Sequence, residues 1–126
     1  MSINVELIND NRVVLQTYCD PLDHAQMNAL RIKMESEILP LTGEKIHIIA
    51  DFSGVKNLPG TILSSGAGML RGAHPNTGVI VCVTSGAFVN AMAGIFTKLT
   101  TGDRFRIVRS LDEAQKEIDQ LLLSEV

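Results

Sequence analysis

A chain of 126 residues with 45% hydrophobic content can bury about two-thirds of its unfolded surface in one core, so one domain over residues 1–126 is the expectation. A formal net charge of −3 offers no clustered basic footprint, and nucleic acid is not an expected partner. The longest apolar run falls far short of the roughly 20 residues a membrane span needs, and MSINVELIND lacks the basic-then-apolar layout of a signal peptide.

Four Phe, one Tyr and no Trp leave the core to aliphatic side chains with Met as filler. Cys19 and Cys82 are too few for a disulfide framework. Cys82 lies in an apolar run and reads as a small hydrophobe. A soluble, reduced, cytoplasmic protein is expected.

Ile3 to Leu7 alternates apolar and polar residues, as a half-buried strand does. Asn9-Asp10-Asn11 supplies turn chemistry, and Val13, Val14, Leu15 and Tyr18 make a second strand, antiparallel to the first. Asp20-Pro21-Leu22-Asp23 predicts a helix start, with Asp20 as cap and Pro21 at the first helical position. Met27, Leu30, Met34 and Ile38 form its buried stripe, and Pro40 stops it. Thr42-Gly43-Glu44 turns into the central strand, where Ile46, Ile48, Ile49, Ala50 and Phe52 leave only His47 and Asp51 polar. Such a run suits a strand covered on both faces. It is expected to end in a turn at Asp51-Phe52-Ser53-Gly54.

Pro59-Gly60 then opens a helix of small residues reaching Leu70. A loop runs from Gly72 to Gly78, and Val79 to Val83 is a second buried strand, ending in Thr84-Ser85-Gly86. Phe88, Met92, Ile95 and Leu99 mark the next helix. Phe105 to Val108 is a short strand. Ser110-Leu111-Asp112-Glu113 is a capping box, and Ala114, Ile118, Leu121 and Leu122 are the buried face of the last helix. The order β-β-α-β-α-β-α-β-α predicts an α/β fold with a mixed, mostly parallel sheet flanked by helices.

This order, with IIADFSGV at Ile48–Val55, SSGAGML at Ser64–Leu70 and FRIVRSLDEA at Phe105–Ala114, resembles the STAS family, the anti-sigma-factor-antagonist-like domains. A related lipid-pocket branch, likened to SEC14 domains, shares the order. The resemblance implies no enzymatic activity and no cofactor. It implies a regulatory interaction module that docks a partner protein, such as a kinase-like anti-sigma factor, through the loop and helix after the central strand. It also implies a phosphorylation switch, with Thr61, Ser64 and Ser65 as the candidates. The chain departs from the family's Asp-Ser-Ser-Gly turn. Aligned without a gap from Asp51, Pro59 takes the Asp place and Gly60 and Thr61 the hydroxyl places. With a short insertion, Ser64-Ser65-Gly66 match and Leu63 takes the Asp place. The alternative is a carrier or sensor of a small apolar ligand held between sheet and helices.

Asp51, Ser53 and Gly54, with Gly60, Ser85 and Gly86, fall where open α/β sheets place ligands, at the carboxyl ends of strands. They are equally the residues a plain turn would use. Asp51 has no second carboxylate, Cys or His at useful spacing and reads as a turn or capping residue. Gly66 and Gly68 read as packing glycines. His24, His47 and His74 are scattered, and no metal site or nucleophile–base pair is expected. Cys19 precedes a helix start but has no neighbouring base. Arg104, Arg106 and Arg109 can form an anion patch, or guard an edge strand against aggregation. A hairpin edge can pair two copies of the chain, although nothing in the sequence specifies it.

Overall fold

A computed structural model describes residues 3–20, 22–40, 43–56, 76–84 and 105–124. Among them lie five strands, β1 (Ile3–Ile8), β2 (Val13–Cys19), β3 (Ile46–Gly54), β4 (Thr77–Val83) and β5 (Phe105–Val108), with helices α1 (His24–Lys33) and α2 (Leu111–Ser124). The expected helices at Pro59–Leu70 and around Phe88–Leu99 lie outside the described residues. No helix among the described residues is long and apolar enough to cross a membrane.

The strands form one mixed sheet in the order β1-β2-β3-β4-β5. β1 and β2 pair antiparallel, and the other three pairs are parallel. The hairpin closes through Asn9, Asp10 and Asn11, with φ of 50°, 56° and 64°, and the Arg12 N–H donates to the Asn9 carbonyl. A left-handed backbone costs most L-residues about 1–2 kcal/mol each. Asn and Asp tolerate it, so this run of residues selects the turn.

The alternating side chains of β3 feed two cores. Ile46, Ile48 and Ala50 pack with Val14 and the α1 stripe of Met27, Leu30, Met34 and Ile38. Ile49 packs with Val13, Val81, Val83 and Val108 against Ala114 and Ile118 of α2. The predicted stripes are therefore the faces that are buried, and β3 is covered on both sides.

The ends of α1 differ from expectation. The helix begins at His24, and its cap is Asp23, which accepts the Gln26 N–H at 2.8 Å. Asp20 is not the cap, because its carboxylate instead accepts the Lys56 N–H at 2.8 Å. Pro21 lies outside the described residues. After Lys33 the helix widens into a π-helical turn over Met34–Ile38, and the Leu39 N–H donates to the Met34 carbonyl at 2.8 Å. The wider turn sets Leu39 in the core beside Ile38 before Pro40. At α2, Ser110 accepts the Glu113 N–H as the capping box requires, but Glu113 reaches the N–H of Arg109 rather than that of Ser110.

Both ends of β3 carry irregularities. β4 begins at Thr77, so Thr77 and Gly78 are strand and not loop. Ile46 pairs with Thr77 and Ile48 with Ile80, which leaves Gly78 and Val79 opposite His47. This is a bulge, and it costs the ladder a backbone partner. The buried His47 ring fills the gap, its Nδ1 accepting the Val79 N–H at 2.9 Å. A Cβ at Gly78 would stand 2.5 Å from that nitrogen, so only glycine leaves the ring room. At the other end β3 continues through Gly54, two residues past Phe52, because Gly54 pairs with Cys19 after a register shift in β2.

Gly78→Ala is expected to cost about 1–3 kcal/mol in urea unfolding, the range for a forced core clash. In Gly78→Ala/His47→Ala the two costs are expected to fall short of their sum, since the second change removes the atoms the new methyl meets. Simple additivity would show that ring and glycine do not constrain each other.

Candidate functional site

The carboxyl ends of β2, β3 and β4 lie side by side, because the three strands are parallel and adjacent. Asp51 is paired in register with Thr17 of β2 and Val83 of β4. Its side chain is buried, and its Oδ1 accepts the Ser53 N–H at 2.9 Å. That is the short-range bond Asp makes to its own backbone two residues on. Ser53 and Gly54 remain exposed at the end of the strand. A Cβ at Gly54 would lie 3.3 Å from the Tyr18 carbonyl and 3.5 Å from Cys19 Sγ, so glycine lets β3 run close to β2 here.

Two bonds from backbone N–H groups, one to a carbonyl and one to a carboxylate, then fix the exit from β3. The Val55 N–H donates to the Phe52 carbonyl at 3.0 Å, and the Lys56 N–H donates to Asp20 at the end of β2. Beneath the exit, the ring of Phe52 stacks on Tyr18 with centroids 4.2 Å apart and planes at 10°. The buried Tyr18 hydroxyl donates to Gln16 Oε1 at 2.6 Å, which satisfies its donor away from water.

On β4, burial and then the Asp51 charge push the Cys82 thiol up to about 12. The thiol is protonated at neutral pH and is not a nucleophile. Thr84 follows β4, and its N–H donates to the Val108 carbonyl. Its hydroxyl is buried and has no hydrogen-bond partner among the described residues.

Of the six residues assigned to this site from the sequence, Asp51, Ser53 and Gly54 lie together on one strand end. Gly60, Ser85 and Gly86 lie outside the described residues, as do the phosphorylation candidates Thr61, Ser64 and Ser65. Gly66, Gly68, His74 and Arg104 lie outside them too. Sequence reasoning missed Asp20, Gln16 and Thr84. Asp20 carried a signal, since its neighbour Asp23 is an equally good cap and left it free for another role. Cys19 ends β2 opposite Gly54 and does not open α1. Arg106 pairs with Glu117 of α2, which takes it out of an anion patch. His24 is exposed on α1 while His47 is buried in the sheet. No group of three or more His, Cys, Asp and Glu side chains among the described residues can hold a metal ion.

No family model matches the chain, and neither does any curated protein. Among solved structures the chain is similar to the NMR structure of the protein TM1081, with a TM-score of 0.65 at 15% identity, over 91% of this chain and 86% of that one. At that identity the likeness shows a shared fold and nothing finer.

The Cys82 shift predicts a loss of stability in alkali. An unfolded thiol ionises near ~8.5, whereas the folded one holds its proton to about 12. Between those values the folded state binds more protons, so stability falls as pH rises, by up to about 1.4 kcal/mol per pH unit. Tyr18 is pushed up by burial and then by the Cys82 charge, and acts in the same sense above its ordinary value near ~10. Chemical unfolding across this range is expected to weaken from about pH 9 in the wild type, and only from about pH 10 in Cys82→Ala. Coincident profiles would show that Cys82 does not hold its proton in the fold.

Proposed function

We propose that the chain is a non-enzymatic regulatory module resembling the STAS domains, which docks a partner protein at the carboxyl end of β3. A kinase-like anti-sigma factor is the partner class, with phosphorylation at Thr61, Ser64 or Ser65 as the switch. The observation that carries this reading is the built exit from β3. Asp51 and Asp20 are both spent on holding backbone N–H groups, while Ser53 and Gly54 stand exposed. The segment that leaves this point carries the three candidate hydroxyls. A phosphate there would add roughly −1.5 to −2 charges beside any docked surface. A cytoplasmic location fits this role.

The test is capture from native lysate with the wild type, Ser53→Lys, Thr61→Glu and Ser64→Glu/Ser65→Glu, read by mass spectrometry. The expected result is a partner held by the wild type, lost in Ser53→Lys and changed at least about tenfold by one of the acidic versions, the effect of roughly 1.4 kcal/mol. A partner held equally by all four would overturn the reading.

One observation favours a second reading, the carrier of a small apolar ligand. The buried Thr84 hydroxyl has no partner among the described residues, and a polar group on an otherwise apolar ligand would satisfy it. Native mass spectrometry of freshly isolated protein is then expected to show a bound mass that is lost in Thr84→Val. The ligand-free Thr84→Val protein should be more stable than the wild type by about 1–3 kcal/mol, the cost of an unmet buried hydroxyl. Repeated absence of any bound mass would remove this reading.

A further inference from the structure

We propose that β1 is a self-association edge, and that two copies of the chain pair through it antiparallel, joining their five-stranded sheets into one. Among the described residues the sheet is bounded by β1 and β5, and these two edges are unlike. Each carries one charged residue, Glu6 on β1 and Arg106 on β5, but β5 has only four residues and is short as protected edges are. β1 has six residues, contains no Lys or Pro, and pairs with β2 without a bulge from Ile3 to Ile8. It is the edge on which another strand can be templated.

The faces that β1 presents in the folded sheet point to a second copy as the occupant and to one register. Ile3, Val5 and Leu7 are half-buried against the α1-side core, while Asn4 and Glu6 point the other way and are exposed. A two-fold axis through Val5, perpendicular to the sheet, sets Val5 opposite Val5 and Ile3 opposite Leu7 of the second copy. The same axis sets Asn4 of each copy opposite Glu6 of the other, an amide donor facing a carboxylate. Apolar side chains then meet across the seam on the α1 side, so each core runs on into the next. Moving the axis to Glu6 would set the two Glu6 carboxylates face to face, which is unfavourable. The axis through Val5 matches every β1 position from Ile3 to Leu7 with a compatible neighbour. This surface is separate from the carboxyl end of β3, and it does not depend on the role proposed for that end.

Sedimentation equilibrium over a range of protein concentrations tests this. The wild type is expected to show a monomer–dimer equilibrium. Asn4→Glu sets two like-charged pairs across the seam and is expected to weaken the dimer about tenfold. Asn4→Glu/Glu6→Lys sets Glu opposite Lys in both pairs and is expected to restore it to within about threefold of wild type. Both sites are exposed, so circular dichroism should show the same fold in all three proteins. A wild type that stays monomeric at every accessible concentration would overturn the proposal. So would a dimer that Asn4→Glu leaves unchanged, or one that the double change does not restore.

Discussion

A strand buried on both faces cannot leave a backbone donor unbonded, because no water reaches it to take the lost partner's place. β3 meets this demand while its ladder to β4 slips by one residue at the entry. The His47 ring supplies the missing acceptor to Val79. With Nδ1 accepting, the ring proton sits on Nε2. Gly78 follows from this, since the ring occupies the space a side chain would need. The slip in the register of β4 on β3 is thus closed by a side-chain-to-backbone bond. A polar residue in an apolar strand suggests chemistry, yet here its role is to close the ladder.

Local patterns carried most of the elements. Periodicity in α1 and α2 named the buried stripes, and the Asn9–Asn11 run named a left-handed turn, because each depends on residues close in sequence. Long-range bonds were not legible. Asp20 bonds Lys56, 36 positions away, and only the parallel pairing of β2 with β3 brings them together. Asp23 could replace Asp20 as cap because both are Asp, and the choice between them is made by tertiary structure. The π-helical turn was hidden for a related reason. Leu39 is drawn into the core by packing, and the Met34–Ile38 spacing reads the same with or without it. At the site, sequence found the exposed residues Ser53 and Gly54, which a turn pattern marks. It missed the buried Thr84 hydroxyl, whose significance lies in having no partner among the described residues.

The titratable groups Tyr18, Asp51 and Cys82 near the strand ends are buried, and the first two are engaged. The Cys82 thiol keeps its proton because burial and the Asp51 charge both oppose a thiolate. Asp51 is engaged by the Ser53 N–H. The Tyr18 hydroxyl is engaged by Gln16. Apart from the Thr84 hydroxyl, the buried polar groups described at this end of the sheet bond the backbone or one another beneath the exposed surface of Ser53 and Gly54.

That surface has a particular property. The donors that anchor the exit from β3 are the backbone N–H groups of Ser53, Val55 and Lys56, and their acceptors lie on Asp51, Phe52 and Asp20. The side chains of Ser53 and Lys56 take no part in these bonds and are exposed. Each can therefore be replaced by a residue of different charge or size without loss of an anchor. The shape of this strand exit is thus set by bonds to backbone N–H groups, and its exposed side chains can vary while that shape is kept. The carboxylates beneath it have no such freedom, because removing either Asp leaves a backbone donor without its acceptor.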